Sequence, residues 1–146
     1  MRSFGEYMSR IVQTDSLGQA RTKLSKLILI SIRELMKQTD ITAESKDLAA
    51  FIVLALKEIS SGIDPSVEAW EKRGYWVKAD RFRMEWEWSG RFARQLEKAL
   101  MDEEWASVPL LVIQIAHKFE NVKPPSRNAN GKFWAGSFSR LNSSML

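Results

Sequence analysis

Residues 48–66 read LAAFIVLALKEISSGIDPS, and this stretch decides the fold. Its first part, LAAFIVLAL, is apolar without interruption but is far shorter than the roughly 20 residues that a membrane span needs. A helix that is apolar nearly all round is usually central in a helical bundle. We therefore predict a central helix from about Ala43 to Ser61, surrounded by other helices.

The end of this helix is marked by residues 61–65, SGIDP. Gly62 suits the left-handed backbone position that follows many helices, and Ile63 suits the apolar contact that accompanies it. Asp64 and Pro65 suit the N-cap and the first position of a following helix. Because the connection is so short, we predict that the two helices pack as antiparallel neighbours.

Helical periodicity extends over most of the remaining chain. Ser16 opens one helix, with Gln19 three residues later in the capping-box position, and Gly74 is a candidate break in a long segment. The predicted helices cover residues 4–12, 16–38, 43–61, 65–101 and 107–120. The predicted fold is all-α, a single bundle of about five helices in residues 1–122 with an extended tail in residues 123–146.

The stretch WEKRGYWVKADRFRMEWEWSGRF, residues 70–92, holds four of the six tryptophans. When residues 75–101 are placed on a helical wheel, one narrow apolar stripe is typical of a core-facing helix. Its members are Tyr75, Ala79, Phe82, Trp86, Ala93, Leu96 and Leu100.

A second apolar set projects from the opposite side of the same wheel. Val77, Met84 and Trp88 lie there, near Arg81 and Arg91. A helix with two apolar sides either is buried centrally or presents one side to another helix, to a second subunit or to stacked bases. Met84, Trp88, Arg81 and Arg91 are therefore candidate partner-binding residues.

The net charge of +4 is distributed unevenly along the chain. Residues 1–122 carry 18 Lys and Arg against 18 Asp and Glu, so their net charge is zero. The excess lies in the tail, which has four bases and no acid. Since non-specific affinity for nucleic acids comes mostly from cations that neutralise phosphates, a neutral body with a basic tail is a weak nucleic-acid candidate, and the argument for such binding rests on the tail.

The tail is rich in Pro, Ser, Asn and Gly, and we predict that it lacks regular structure. It alternates aromatic and basic residues, as do single-strand binders and flexible peptide ligands. The candidate tail-binding residues are Lys132, Phe133, Trp134, Phe138 and Arg140. We favour the interpretation in which the large apolar side chains Phe133, Trp134, Phe138 and Leu141 fold back and fill a groove of the bundle, because a long exposed apolar tail is a liability in a soluble protein.

Few residues suit catalysis. The chain has no cysteine, and His117 is its one histidine, so a His-based metal site would need carboxylates as well. His117 and Glu120 share a helix face, but Gln114 departs from the Glu-x-x-His pattern of carboxylate di-metal bundles. We assign no catalytic, cofactor-binding or metal-binding residue and expect neither enzyme activity nor a cofactor.

These observations favour a non-catalytic interaction or assembly protein, self-associating or part of a larger complex, with a protein partner or a homo-oligomer. We expect a cytoplasmic protein with no signal peptide and no membrane association. The alternative is a nucleic-acid-binding module that uses the basic tail together with Arg81 and Arg91. A third interpretation, a small helical enzyme or ligand-binding regulator, predicts a buried cavity lined by polar groups.

Overall fold

The computed structural model describes residues 16–144, and within that range the chain is helical without any strand. Its helices are α1 (Leu17–Met36), α2 (Ala43–Ser61), α3 (Ile63–Lys72), α4 (Trp76–Trp86), α5 (Trp88–Met101), α6 (Val108–Lys118) and α7 (Ser137–Ser144), with a 3₁₀ turn at Trp105–Ser107. The predicted all-α class is confirmed. The helix predicted for residues 4–12 lies outside the described residues.

The central helix of the bundle is α2. Every residue from Leu48 to Leu56 is buried, and the helix packs against α1, α5 and α7. Its N-terminus is fixed by a capping box. Thr42 Oγ1 accepts a hydrogen bond from the Ser45 N–H at 3.1 Å, and Ser45 Oγ accepts one from the Thr42 N–H at 2.6 Å. These bonds satisfy N–H groups that the helix leaves without partners, and the predicted bounds of α2 are confirmed.

The helices α2 and α5 approach each other closely at Gly90. A Cβ atom at this position would lie 2.8 Å from Ser60 Oγ, so glycine is what allows the contact. Further along the same pair of helices, Lys57 Nζ lies 2.8 Å from a carboxylate oxygen of Glu97. The two contacts fix the position of α5 on the central helix.

The connection from α2 to α3 differs from the prediction. Gly62 has a φ of −88°, in the right-handed region, and α3 already begins at Ile63. Pro65 therefore lies inside the first turn of α3, where a missing N–H costs no helical hydrogen bond. Since α3 packs mainly on α4, the short connection does not make α2 and α3 a packed pair.

The predicted long segment of residues 65–101 is divided into three helices. The expected break at Gly74 is confirmed, since its φ of 81° is a conformation that glycine adopts without strain. A second interruption at Glu87 separates α4 from α5. There the Ser89 hydroxyl donates a hydrogen bond to the Trp86 carbonyl at 2.7 Å, which satisfies an acceptor at the end of α4.

The C-terminal segment folds back onto the bundle. Phe133, Trp134 and Leu141 belong to the main apolar core, and the Phe133 ring meets the Phe51 ring edge-on with centroids 4.8 Å apart. The expectation that the whole segment lacks regular structure is wrong, because Ser137–Ser144 forms α7.

The start of α7 is held by a carboxylate from a distant part of the sequence. Asp47, in the first turns of α2, accepts hydrogen bonds from the N–H groups of Gly136 and Phe138 at 3.0 and 2.9 Å. A carboxylate stabilises a helix N-terminus by accepting from its unpaired N–H groups and by complementing the helix dipole. Asp47 thus fixes α7 against α2.

We expect Phe133→Ala to lower the free energy of unfolding by about 3–5 kcal/mol, because it removes a buried ring. Lys132→Ala is the matched control, since this neighbouring side chain is exposed and forms only a long ion pair with Glu44, at 3.6 Å. The control should lose less than about 1 kcal/mol. Urea unfolding followed by circular dichroism measures both, and equal losses would contradict the docking of the segment.

Candidate interaction surface

The helices α3 and α4 form a hairpin with an apolar cluster of its own. Ile63 and Val67 on α3 pack against Ala79 and Phe82 on α4. The rings of Trp70 and Phe82 meet edge-on with centroids 5.0 Å apart. Since Ala79 and Phe82 are the buried residues of α4, the remaining circumference of this helix faces away from the cluster.

Arg21 of α1 connects the hairpin to the rest of the bundle. Its guanidinium carbon lies 4.6 Å from the ring centroid of Phe82 and 5.3 Å from that of Trp86. Burial lowers the pKa of Arg21, and the nearby charge of Glu85 partly offsets that effect. Because an arginine stays charged at neutral pH all the same, both ring contacts are cation–π interactions.

A row of exposed apolar side chains follows the Gly74 turn. Tyr75, Trp76 and Val77 are 55, 60 and 68 % exposed, and Met84, two turns further along α4, is 76 % exposed. Val77, Arg81 and Met84 recur at helical spacing on the side of α4 that faces away from its buried residues. We call these three residues the α4 stripe.

The hairpin tip is strongly basic. Residues 72–83 contain five bases and one acid, a net charge of +4 that equals the net charge of the whole chain. The bases are Lys72, Arg73, Lys78, Arg81 and Arg83, all exposed, and the acid is Asp80. Arg83 Nη1 lies 3.7 Å from an Asp80 carboxylate oxygen, a long contact between exposed groups that neutralises little of this charge.

An open cleft of about 600 Å³ lies at this tip. It is lined by Gly74, Tyr75, Trp76, Val77, Lys78 and Arg81, and we call it the tip cleft. Lys78 Nζ also lies 4.8 Å from the ring centroid of Trp70, a cation–π contact on α3 of the same hairpin. The cleft thus combines two aromatic side chains with two cations.

The structure places Trp88 away from this surface. Trp88 is 6 % exposed, its ring stacks on Trp86 with centroids 5.9 Å apart, and it meets Phe119 edge-on at 5.2 Å. The predicted position of Trp88 beside Met84 assumed one continuous helix. The structure instead places the Trp88 ring in the main core, next to Phe92 and Phe119.

The helix breaks also affect where Tyr75 and Arg91 lie. Tyr75, predicted in the core stripe, is exposed because it follows the Gly74 turn and precedes the first residue of α4. Arg91 is exposed, but it lies on α5 with its guanidinium carbon 5.3 Å from the ring centroid of Phe92. Of the predicted partner-binding residues, Met84 and Arg81 belong to the α4 stripe.

The aromatic candidates of the tail do not form a free surface. Phe133 and Trp134 are buried in the main core. Phe138 is half-buried, and Lys46 Nζ lies 5.7 Å from its ring centroid. The rings of Phe133 and Trp134 are therefore covered by the bundle, and the ring of Phe138 is partly covered.

The basic candidates of the tail have contacts within the chain. Lys132 is exposed and forms the ion pair with Glu44 already described. Arg140 Nη1 donates a hydrogen bond to the Ala135 carbonyl at 3.0 Å. Both cations lie on the docked segment rather than on a flexible arm.

A second concavity, a groove of about 480 Å³, lies between the end of α1, the start of α2 and the start of α6. Its lining is mainly apolar and includes Leu35, Met36, Ile41, Trp105, Val108 and Val112. Met36 and Ile41 are exposed at its edge. The groove is open and apolar, unlike the buried polar cavity that the ligand-binding interpretation predicts.

The remaining chemistry is limited in the part of the chain that the structure describes. His117 is exposed, with Nδ1 3.6 Å from a carboxylate oxygen of Glu120. In residues 16–144 no group of three or more His, Cys, Asp and Glu side chains is arranged to hold a metal ion. No helix in that range has both the length and the apolar character needed to cross a membrane. Comparison of the chain with protein-family models, curated proteins and solved structures found no match.

Sequence reasoning missed the exposed pair Tyr75 and Trp76. Lys72, Arg73 and Lys78 lie close to them in the sequence, but charged neighbours do not indicate exposure, since Phe82 is buried although Arg81 and Arg83 directly flank it.

We expect Trp88→Ala to lower the free energy of unfolding by about 3–5 kcal/mol, because it removes a large buried ring. Trp76→Ala, the matched control on the same hairpin stretch, should change it by no more than about 0.5 kcal/mol, because its ring is largely exposed. Guanidinium unfolding followed by circular dichroism tests both variants. A similar loss in the two would contradict the assignment of Trp88 to the core and Trp76 to the surface.

Proposed function

We propose that this protein is a non-catalytic helical interaction protein that assembles, with a second copy or with other subunits, through the α4 stripe. The observation that carries the proposal is the exposure of Val77 and Met84 on the outward side of a helix. Both are large apolar side chains, and the helix that holds them packs mainly on α3.

The energetics of this surface favour coverage by a partner. Burying a side chain such as valine or methionine contributes about 1.5–3 kcal/mol, so two of them supply a useful part of a binding free energy. Arg81 lies between them, and methionine and arginine are both enriched at protein interfaces. A chain without cysteine fits the reducing cytoplasm, where we expect the assembly to act.

Photo-crosslinking tests the surface directly. We expect p-benzoylphenylalanine in place of Met84 to give a crosslinked adduct in cells of the source organism, because an interface at the α4 stripe brings partner atoms onto this side chain. The same probe in place of Gln95, an exposed residue on α5, is the control and should give little adduct. Gel mobility then separates a dimer of the chain from an adduct with a different protein.

A substitution at the same position tests whether Met84 contributes to the free energy of association. Met84→Gln should weaken the association by about tenfold, since it replaces a buried apolar group with a polar one. Sedimentation velocity, or co-purification with the crosslinked partner, measures this. Equal adducts at positions 84 and 95, or association unchanged by Met84→Gln, would contradict the proposal.

A further inference from the structure

The tip cleft combines the two features that single-stranded nucleic acids need from a protein surface. Proteins that bind single strands hold phosphates on cations and stack bases on aromatic rings. Tyr75 and Trp76 are adjacent, largely exposed and part of the cleft wall, and Lys78 and Arg81 line the same cleft. We propose that the tip cleft binds a single-stranded nucleic acid, with a base on Trp76 or Tyr75 and the neighbouring phosphate on Arg81.

The charge of the hairpin supports an anionic strand as the occupant. The net +4 of residues 72–83 lies around the cleft, and the C-terminal residues 123–146 carry the other +4, while the rest of the chain has a net charge of −4. Arg81 lines the cleft, and the exposed Arg73 directly precedes its lining residue Gly74 in the chain. Cations arranged along a path neutralise successive phosphates and release their counterions.

The cleft is a better site than the C-terminal tail, which shares its mixture of aromatic and basic residues. Phe133 and Trp134 are packed in the core and have no ring face to offer. At the hairpin tip the corresponding rings are exposed, and residues 72–78 are exposed without interruption. Of these two segments, only the hairpin tip therefore has exposed rings on which bases can stack.

The aromatic pair also distinguishes a nucleic acid from other anionic partners. An anionic bilayer or an acidic protein surface attracts the same cations but has no bases to stack on a ring. For such partners, leucine in place of Trp76 retains most of the apolar contact. For a nucleic acid, leucine removes the stacking, whereas phenylalanine keeps it.

The tip cleft shares Val77 and Arg81 with the α4 stripe, so a strand and a protein partner would compete there, but the two proposals are tested separately. The titration below uses the purified chain and an oligonucleotide, so its failure leaves the crosslinking result at position 84 unaffected. Conversely, a missing adduct at position 84 does not alter the affinity of the cleft for a strand.

Fluorescence anisotropy tests the inference with labelled single-stranded DNA and RNA of the same sequence, each of about twelve nucleotides. We expect the full chain to bind, and the affinity to fall about twentyfold between about 50 and about 200 mM NaCl, as contact with about three phosphates implies. The two oligonucleotides show whether the ribose hydroxyl adds to the affinity.

Four variants make the test specific. Trp76→Leu and Arg81→Ala should each weaken binding by about tenfold, and Trp76→Phe should stay within about threefold of the original chain. Arg94→Ala, which removes an exposed cation on α5, is the charge-matched control and should have little effect. Circular dichroism confirms that each variant retains its helical content.

Three outcomes would overturn the proposal. The first is the absence of binding to both oligonucleotides at low salt. The second is equal binding by the original chain and Trp76→Leu, which would reduce the interaction to charge alone. The third is binding to vesicles containing phosphatidylserine in preference to the oligonucleotides, with Trp76→Leu as effective as the original chain, which would assign the tip to a lipid surface.

Discussion

The burial of α2 on all sides is the constraint on which the rest of the structure depends. From Leu48 to Leu56 the helix has no polar side that it can leave in water. Such a helix must be enclosed, and α1 and α5 do not complete the enclosure by themselves. The C-terminal segment supplies the missing side through Phe133, Trp134 and Leu141, and Asp47 caps α7 from within α2 itself. The segment is thus a structural part of the bundle because the central helix needs a cover.

The two breaks at Gly74 and Glu87 separate the hairpin from this core. A continuous helix over residues 65–101 would carry its aromatic residues along one line. The breaks instead divide them between a small cluster on the hairpin and the main core, with Trp86 in contact with both. Arg21 packs on the rings where the two clusters meet and restricts the hairpin relative to the bundle. The base of the hairpin therefore packs against the bundle, whereas the residues at its tip are exposed and do not pack on the core.

The features that could be predicted from the sequence are those set by local patterns. The bounds of α2 follow from its apolar run, the start of α1 from Ser16, whose hydroxyl accepts from the Gln19 N–H at 3.0 Å, and the break at Gly74 from the glycine. The position of Trp88 could not be predicted, because a helical wheel shows which residues share a side but not which side a distant residue such as Phe119 covers.

The docking of the tail could not be decided from the sequence for a different reason. The carboxylate of Asp47 and the N–H groups that it binds are about ninety residues apart in the chain, and only folding brings them together. The exposure of residues on the hairpin surface likewise depends on folding and could be predicted only in part. Met84 and Arg81 could be recognised as candidates from their spacing, but the exposure of Trp76 depends on where the turn directs the first residue of α4.

The charges of the hairpin are arranged so that an anion approaches it at the tip. Along α3, Asp64, Glu68 and Glu71 recur at helical spacing and form an acidic side, whereas the bases gather around the turn. An anion is repelled from the acidic side and attracted to the tip, so the field guides it toward the exposed rings before any contact forms. The C-terminal segment also carries four bases and no acid, so what distinguishes the tip is that its cations lie beside exposed rings, whereas Phe133 and Trp134 are buried. A diffuse positive charge of the same size would bind polyanions weakly over the whole surface, and the local separation of charge is what makes the tip a defined site.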